Sequence, residues 1–167
     1  MMGPRLYKVA ALILLGTLSK GEMPEDDFRI VNRQDLLSSD TDMFEDNSTK
    51  SFSQLLFDVA RDQVIVGARD TLYRLSLRGL RPLERADWPS TSNKSKLCQD
   101  KGQTEDDCHN YVKVLLSYGH KLFACGTNAF SPECSWREIE SINTVSEWVS
   151  GVANCPYNPH SNVTTIL

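Results

Sequence analysis

Short β-branched and aromatic runs separated by tight polar turns dominate the chain from residue 51 onward. Residues 52–57 are apolar and aromatic, and Arg61-Asp62-Gln63 supplies a polar turn. Val64-Ile65-Val66 follows and is closed by Gly67-Ala68. Arg69-Asp70 turns again, and Leu72, Tyr73, Leu75 and Leu77 form a third run with partial alternation. Three such runs joined by two tight turns predict an antiparallel meander. Arg81-Pro82 breaks it, and residues 83–88 supply a fourth, outer strand. Residues 89–110 are polar and read as an inserted loop. The strand pattern resumes with 111–116, turns at Ser117-Tyr118-Gly119-His120, and continues through Leu122-Phe123-Ala124-Cys125 into Gly126.

Laid side by side, the two meanders repeat. Leu55-Leu56-Phe57, turn, Val64-Ile65-Val66-Gly67 matches Val114-Leu115-Leu116, turn, Leu122-Phe123-Ala124-Cys125-Gly126, with 59 residues between the two glycines. A plain propeller blade takes about 40–45 residues, and the inserted loop accounts for the excess. On pattern alone, propeller blades and two hairpins of a β-sandwich both remain open.

Upstream the pattern changes character. Arg5 and Lys8 precede an apolar stretch from Val9 to Leu18, and Ser19 and Gly21 stand at −3 and −1 of a cleavage after Gly21. This describes a secretory signal peptide over 1–21. The apolar run is half of the about 20 residues a bilayer span needs, so any membrane anchor is expected beyond Leu167. Residues 22–50 carry nine acids and three bases and read as a flexible acidic leader, with at most a turn of helix or a short edge strand at Asp35-Leu36-Leu37. Residues 51–167 form the folded part. Without 1–21, 15 basic residues stand against 22 acidic ones, a net of −7, of which −6 lies in the leader. No basic segment supplies an electrostatic footprint for nucleic acid.

Three sequons, at Asn47, Asn93 and Asn162, fit glycosylated surface loops in a secreted chain. The sequence offers an enzyme little. It has no Gly-x-Ser-x-Gly elbow, phosphate-cradling glycine loop or His-Glu-x-x-His helix. His109, His120 and His160 fall in predicted turns and read as surface residues. The cysteine intervals are too long for structural zinc. Asp40-Thr-Asp42 starts like a calcium loop, but Phe44 stands where a ligand is needed, and Glu105-Asp106-Asp107 lacks the glycine and distal glutamate. No catalytic residue, metal, cofactor or small-molecule substrate is expected.

Five cysteines in an oxidising compartment point to disulfides, and the odd count leaves one over. The spacings suit local bonds Cys98–Cys108 and Cys125–Cys134, the first holding the inserted loop as a flap. Crossed pairing stays open, because connectivity does not follow from sequence. Cys155 is the odd one.

Several stretches resemble the amino-terminal part of a sema domain. They are Phe52-Ser-Gln-Leu, Val66-Gly-Ala-Arg-Asp-Thr-Leu-Tyr-Arg-Leu75, Cys98 with Lys101-Gly102 and Cys108-His-Asn-Tyr111, Phe123-Ala-Cys-Gly-Thr-Asn-Ala-Phe130, Cys134, and Cys155-Pro-Tyr-Asn-Pro159. The Cys-Gly-Thr-Asn-Ala-Phe run is specific to semaphorins, and the wording around Cys98 and Asn110-Tyr111 looks most like class 5. The resemblance spans 51–167, about 70% of the chain. It implies an all-β, seven-bladed β-propeller. It also implies local pairing of the first four cysteines, with Cys155 outside those pairs. Function follows by the same route: an extracellular or cell-surface guidance ligand that binds plexins, directs axons and migrating cells, and homodimerises in its full-length form.

Seven blades need about 300 residues. The chain is therefore expected to be a fragment holding the first blade and much of the second, with Val163–Leu167 as an interrupted strand. A short secreted decoy, or a product without signalling activity, is the alternative. The family's contact surfaces lie largely on later blades, so no receptor-contact residue is assigned.

Overall fold

The computed structural model describes residues 41–165; the expected signal peptide and the Asp35-Leu36-Leu37 turn lie outside the described residues. Eight strands form two four-stranded antiparallel sheets. The first is β1 (Gln54–Asp58), β2 (Gln63–Ala68), β3 (Thr71–Ser76) and β4 (Pro82–Asp87), side by side in chain order. The second repeats the order with β5 (Val112–Tyr118), β6 (Lys121–Gly126), β7 (Glu133–Glu138) and β8 (Ser141–Ser150).

Strand alternation explains how the sheets stack. Neighbouring side chains of a strand point to opposite faces, and β2 is buried at every position because both faces of its sheet are covered. Ile65 and Leu72 face the second sheet. There they join Ala86, Trp88, Val112, Leu115, Leu122, Ala124, Ile139 and Ile142 in one core. Each fully buried aliphatic side chain in it contributes about 1.5–3 kcal/mol. Val64, Val66, Tyr73 and Leu75 point the other way and pack with Phe44, Leu77 and Leu80. The second sheet has its own outer cluster, Val114, Cys125, Cys134 and Cys155 backed by Phe123 and Val149.

Several polar contacts across the seam share one sequence interval. Ser53 donates to the Val112 carbonyl, 59 residues on, and Arg61 to that of Gly119, 58 on. The Glu84 carboxylate accepts from the backbone amides of Ile142 and Asn143, 58 and 59 on. The interval matches the Gly67–Gly126 repeat, so equivalent parts of the two sheets meet. At Gly67 β5 packs directly against the first sheet: a Cβ there would lie 2.6 Å from a Val112 methyl.

Four expectations change. The second sheet is complete, with β7 and β8 closing it. The inserted loop contains α1 (Ser92–Asp100), started by Thr91, whose hydroxyl caps the Lys94 amide. Residues 161–165 form no strand. And the described end of the expected flexible leader, from 41 to 50, is packed. Phe44 lies edge-on to Tyr73 with centroids 4.9 Å apart, the Tyr73 hydroxyl donates to Asp46 at 2.7 Å, and buried Thr49 pairs with that same hydroxyl.

Candidate binding surface

One end of the two sheets gathers the long connector between β4 and β5, the β2–β3 turn and the β6–β7 turn. Asp70 ties them. Its left-handed backbone (φ +60°) is tolerated because a short polar side chain can bond locally. Its carboxylate accepts from the Asn110 amide at 2.9 Å and pairs with His109 Nδ1 at 2.5 Å. Its own amide donates to the Asn110 carbonyl, and its carbonyl accepts from Trp88. Arg69 beside it pairs with Asp106 at 2.5 Å. The local pattern marks Arg69-Asp70 only as a turn; the signal for more is its place inside the Val66–Leu75 stretch that resembles the sema domain.

Asn110, wholly buried, repeats the device on the second sheet. It donates to the Trp88 carbonyl at 2.8 Å and accepts from the Asn128 amide at 3.0 Å. The β6–β7 turn that follows holds three consecutive left-handed residues, Asn128, Ala129 and Phe130 (φ +45°, +54° and +57°). For Ala129 and Phe130 that backbone costs about 1–2 kcal/mol per residue. Hydrogen bonds from Ala129 to His109 and from Ser131 to Thr127, both 3.0 Å, hold the turn in place. Packing of Ala129 against Cys98 and Cys108 adds to them.

Cys98 on α1 is bonded to Cys108, and Cys125 on β6 to Cys134 directly opposite on β7. Closing rings of this size contributes about 2.5–3 kcal/mol each on the chain-entropy view. Cys155 is free and buried beside the second disulfide. Burial pushes its thiol up to about 12, partly opposed by Lys113. Native protein is therefore expected to resist iodoacetamide at pH 8 and take up one equivalent on denaturation; stoichiometric labelling of the native state would contradict this burial. Asn47, Asn93 and Asn162 are all exposed. His120 and His160 are exposed and His109 is half-buried, and each has a partner: His109 with Asp70, His160 with Asp107 at 2.8 Å, and His120 with Arg61 at 3.3 Å.

At the far edge of the seam, burial raises the Glu84 carboxyl, but hydrogen bonds from Asn143, Ile142 and Arg74 outweigh it and leave the pKa below 4.5. A pKa depressed on folding gives stability that is full above the unfolded value and lost as pH falls through the folded one. The denaturation midpoint is expected to drop as pH falls below about 4.5. Glu84→Gln should flatten that limb; an unchanged slope would rule Glu84 out as its source. Among the described residues, no group of three His, Cys, Asp or Glu can hold a metal, and no helix is long and apolar enough to cross a membrane.

No family model matches the chain. Semaphorin 5c of Drosophila melanogaster is 53% identical over 152 residues, covering 90% of this chain and 14% of that protein. The chain belongs to the semaphorin family. Its class-5 likeness agrees with the motifs around Cys98 and Asn110. The solved extracellular domains 1–2 of Drosophila Semaphorin 1a are 32% identical, with a TM-score of 0.64 over 71% of this chain and 23% of that one. The solved complex of Drosophila Plexin A with Semaphorin 1b gives 38% identity and a TM-score of 0.59, covering 70% of this chain and 22% of that one. Each four-stranded sheet is thus a blade of a sema-domain β-propeller, and the chain spans a small part of the relatives' length.

Proposed function

We propose that the chain is the amino-terminal part of an extracellular guidance ligand. In this reading it enters the secretory pathway by residues 1–21, carries glycans at Asn47, Asn93 and Asn162, and works by binding a plexin-type receptor. The observation that carries this reading is the likeness to the semaphorin solved with Plexin A. Two disulfides and three exposed sequons support an oxidising, extracellular setting. The expected action is repulsion or redirection of axons and migrating cells, without catalysis.

The test is binding of the full-length secreted semaphorin that contains this segment to cells displaying individual plexins, followed by growth-cone collapse. Saturable binding to at least one plexin is expected. Folded, disulfide-bonded protein that binds none of them would overturn the proposal.

A further inference from the structure

A solvent-open cleft of about 80 Å³ lies between α1 and the left-handed β6–β7 turn. Leu97, Ala129 and Phe130 supply apolar wall, and Lys94, Lys101 and Gln103 its polar lining. Leu97 is 52% exposed, although the helix it stands on is otherwise polar. Residues three and four apart share a helix face. Lys94, Leu97 and Lys101 therefore form one stripe, with the apolar side chain between two cations.

The charge is unusual for this chain. Residues 92–101 hold three lysines against Asp100 alone, in a sequence of net charge −4. Lys94 makes only a 3.4 Å contact with Glu133, both side chains about one-third exposed, and Lys101 has no acidic partner within 4 Å among the described residues. The walls are held rigidly: Cys98–Cys108 fixes the helix, Ser95 donates to the Cys108 carbonyl at 2.9 Å, and the turn is pinned through Asn110 and His109. A fixed apolar slot flanked by the unpaired Lys101 ammonium and by Lys94, which shares its charge with Glu133 in a partly exposed ion pair, is complementary to an apolar side chain set beside carboxylates.

We infer that this cleft is a docking point for an acidic protein segment carrying a single aromatic or aliphatic anchor, presented by the receptor. The inference rests on the receptor-binding reading above. It assigns Leu97 and Phe130 to grip the anchor, and Lys94 and Lys101 to meet the flanking carboxylates.

The test uses the immobilised full-length secreted protein and two capped peptides, one with phenylalanine between acidic residues and one with serine in its place. Receptor ectodomain is measured in parallel. Only the phenylalanine peptide should bind, weakening as salt rises. Leu97→Ser and Lys101→Glu should each weaken peptide and receptor at least tenfold, with circular dichroism and non-reducing mobility unchanged. Peptide binding that ignores both substitutions overturns the cleft. So does receptor binding that ignores them, which leaves the plexin reading standing. Lysine-dependent peptide binding without receptor binding supports the cleft and removes the plexin reading. Because Asn93 shares a helix face with Leu97, binding seen only in Asn93→Gln would mean that the chain's own glycan covers the patch, and overturns the inference.

Discussion

Gly126→Ala is expected to lower stability by roughly 3–5 kcal/mol and cut secreted yield sharply. A Cβ at residue 126 would stand 2.0 Å from Asn110 Oδ1 and 2.8 Å from Asn110 Cγ. The amide cannot stay. When it leaves, the Trp88 carbonyl and the Asn128 amide lose their buried partner, and each orphaned group costs about 1–3 kcal/mol. Whole domains are stable by only about 5–15 kcal/mol. Gly119→Ala is the comparison, since nothing lies within 4 Å of a Cβ there and only its positive φ is strained. That change should cost about 1 kcal/mol. Asn110→Ala should partly mask Gly126→Ala, so that the double variant loses less than the sum. Urea midpoints of the four proteins decide it; equal midpoints for Gly126→Ala and Gly119→Ala would refute the close-contact argument.

Arg137→Ala should be comparably damaging, at about 3–5 kcal/mol. Arg137 is 3% exposed, a rare state for a guanidinium. It lies 4.8 Å from the Trp88 ring and 5.5 Å from that of Trp148, and donates to Ser135 Oγ and the Ile142 carbonyl, both at 2.8 Å. Burial pushes its pKa down to about 10 against the opposing pull of Glu84, so it stays cationic at neutral pH. Lysine should recover less than half of the loss, because an ammonium lacks the planar fork and the stacking face. A loss under about 1 kcal/mol for alanine would show that the two rings and the carbonyl find other partners.

These residues also explain what the sequence disclosed and what it hid. β1–β3, β5 and β6 announced themselves because both of their faces are apolar, giving runs such as Val64-Ile65-Val66 between turn residues. β7 reads Glu-Cys-Ser-Trp-Arg-Glu, and its buried Arg137 looks like surface until the two tryptophans are placed around it. β8 has one fully buried residue, Ile142, because it is an edge strand, so its sequence carries little apolar signal. The helix from Ser92 to Asp100 buries only Cys98, and a single inward residue leaves no period to detect. The packed stretch before residue 51 was masked by its acids, although Asp46 works inside the fold. Hydrogen bonds from Ser48 and Tyr73, with help from Arg85, hold its carboxyl at about 2. At the candidate surface, the cysteines and sequons were visible as motifs. Asp70, Asn110 and the Asn128–Phe130 turn lie inside stretches that mark the family resemblance, but their roles were hidden because they depend on contacts between distant segments.

The spacing of 58 or 59 residues between several of the seam partners has a kinetic corollary. As the chain folds, Ser53 and Glu84 gain their partners at Val112, Ile142 and Asn143 only once the second sheet has formed. The first sheet is thereby completed by the second, while Phe123, Trp136 and Val149 lie on the second sheet's far face. Such a chain adds stability by nearest neighbours, in the manner of a one-dimensional array.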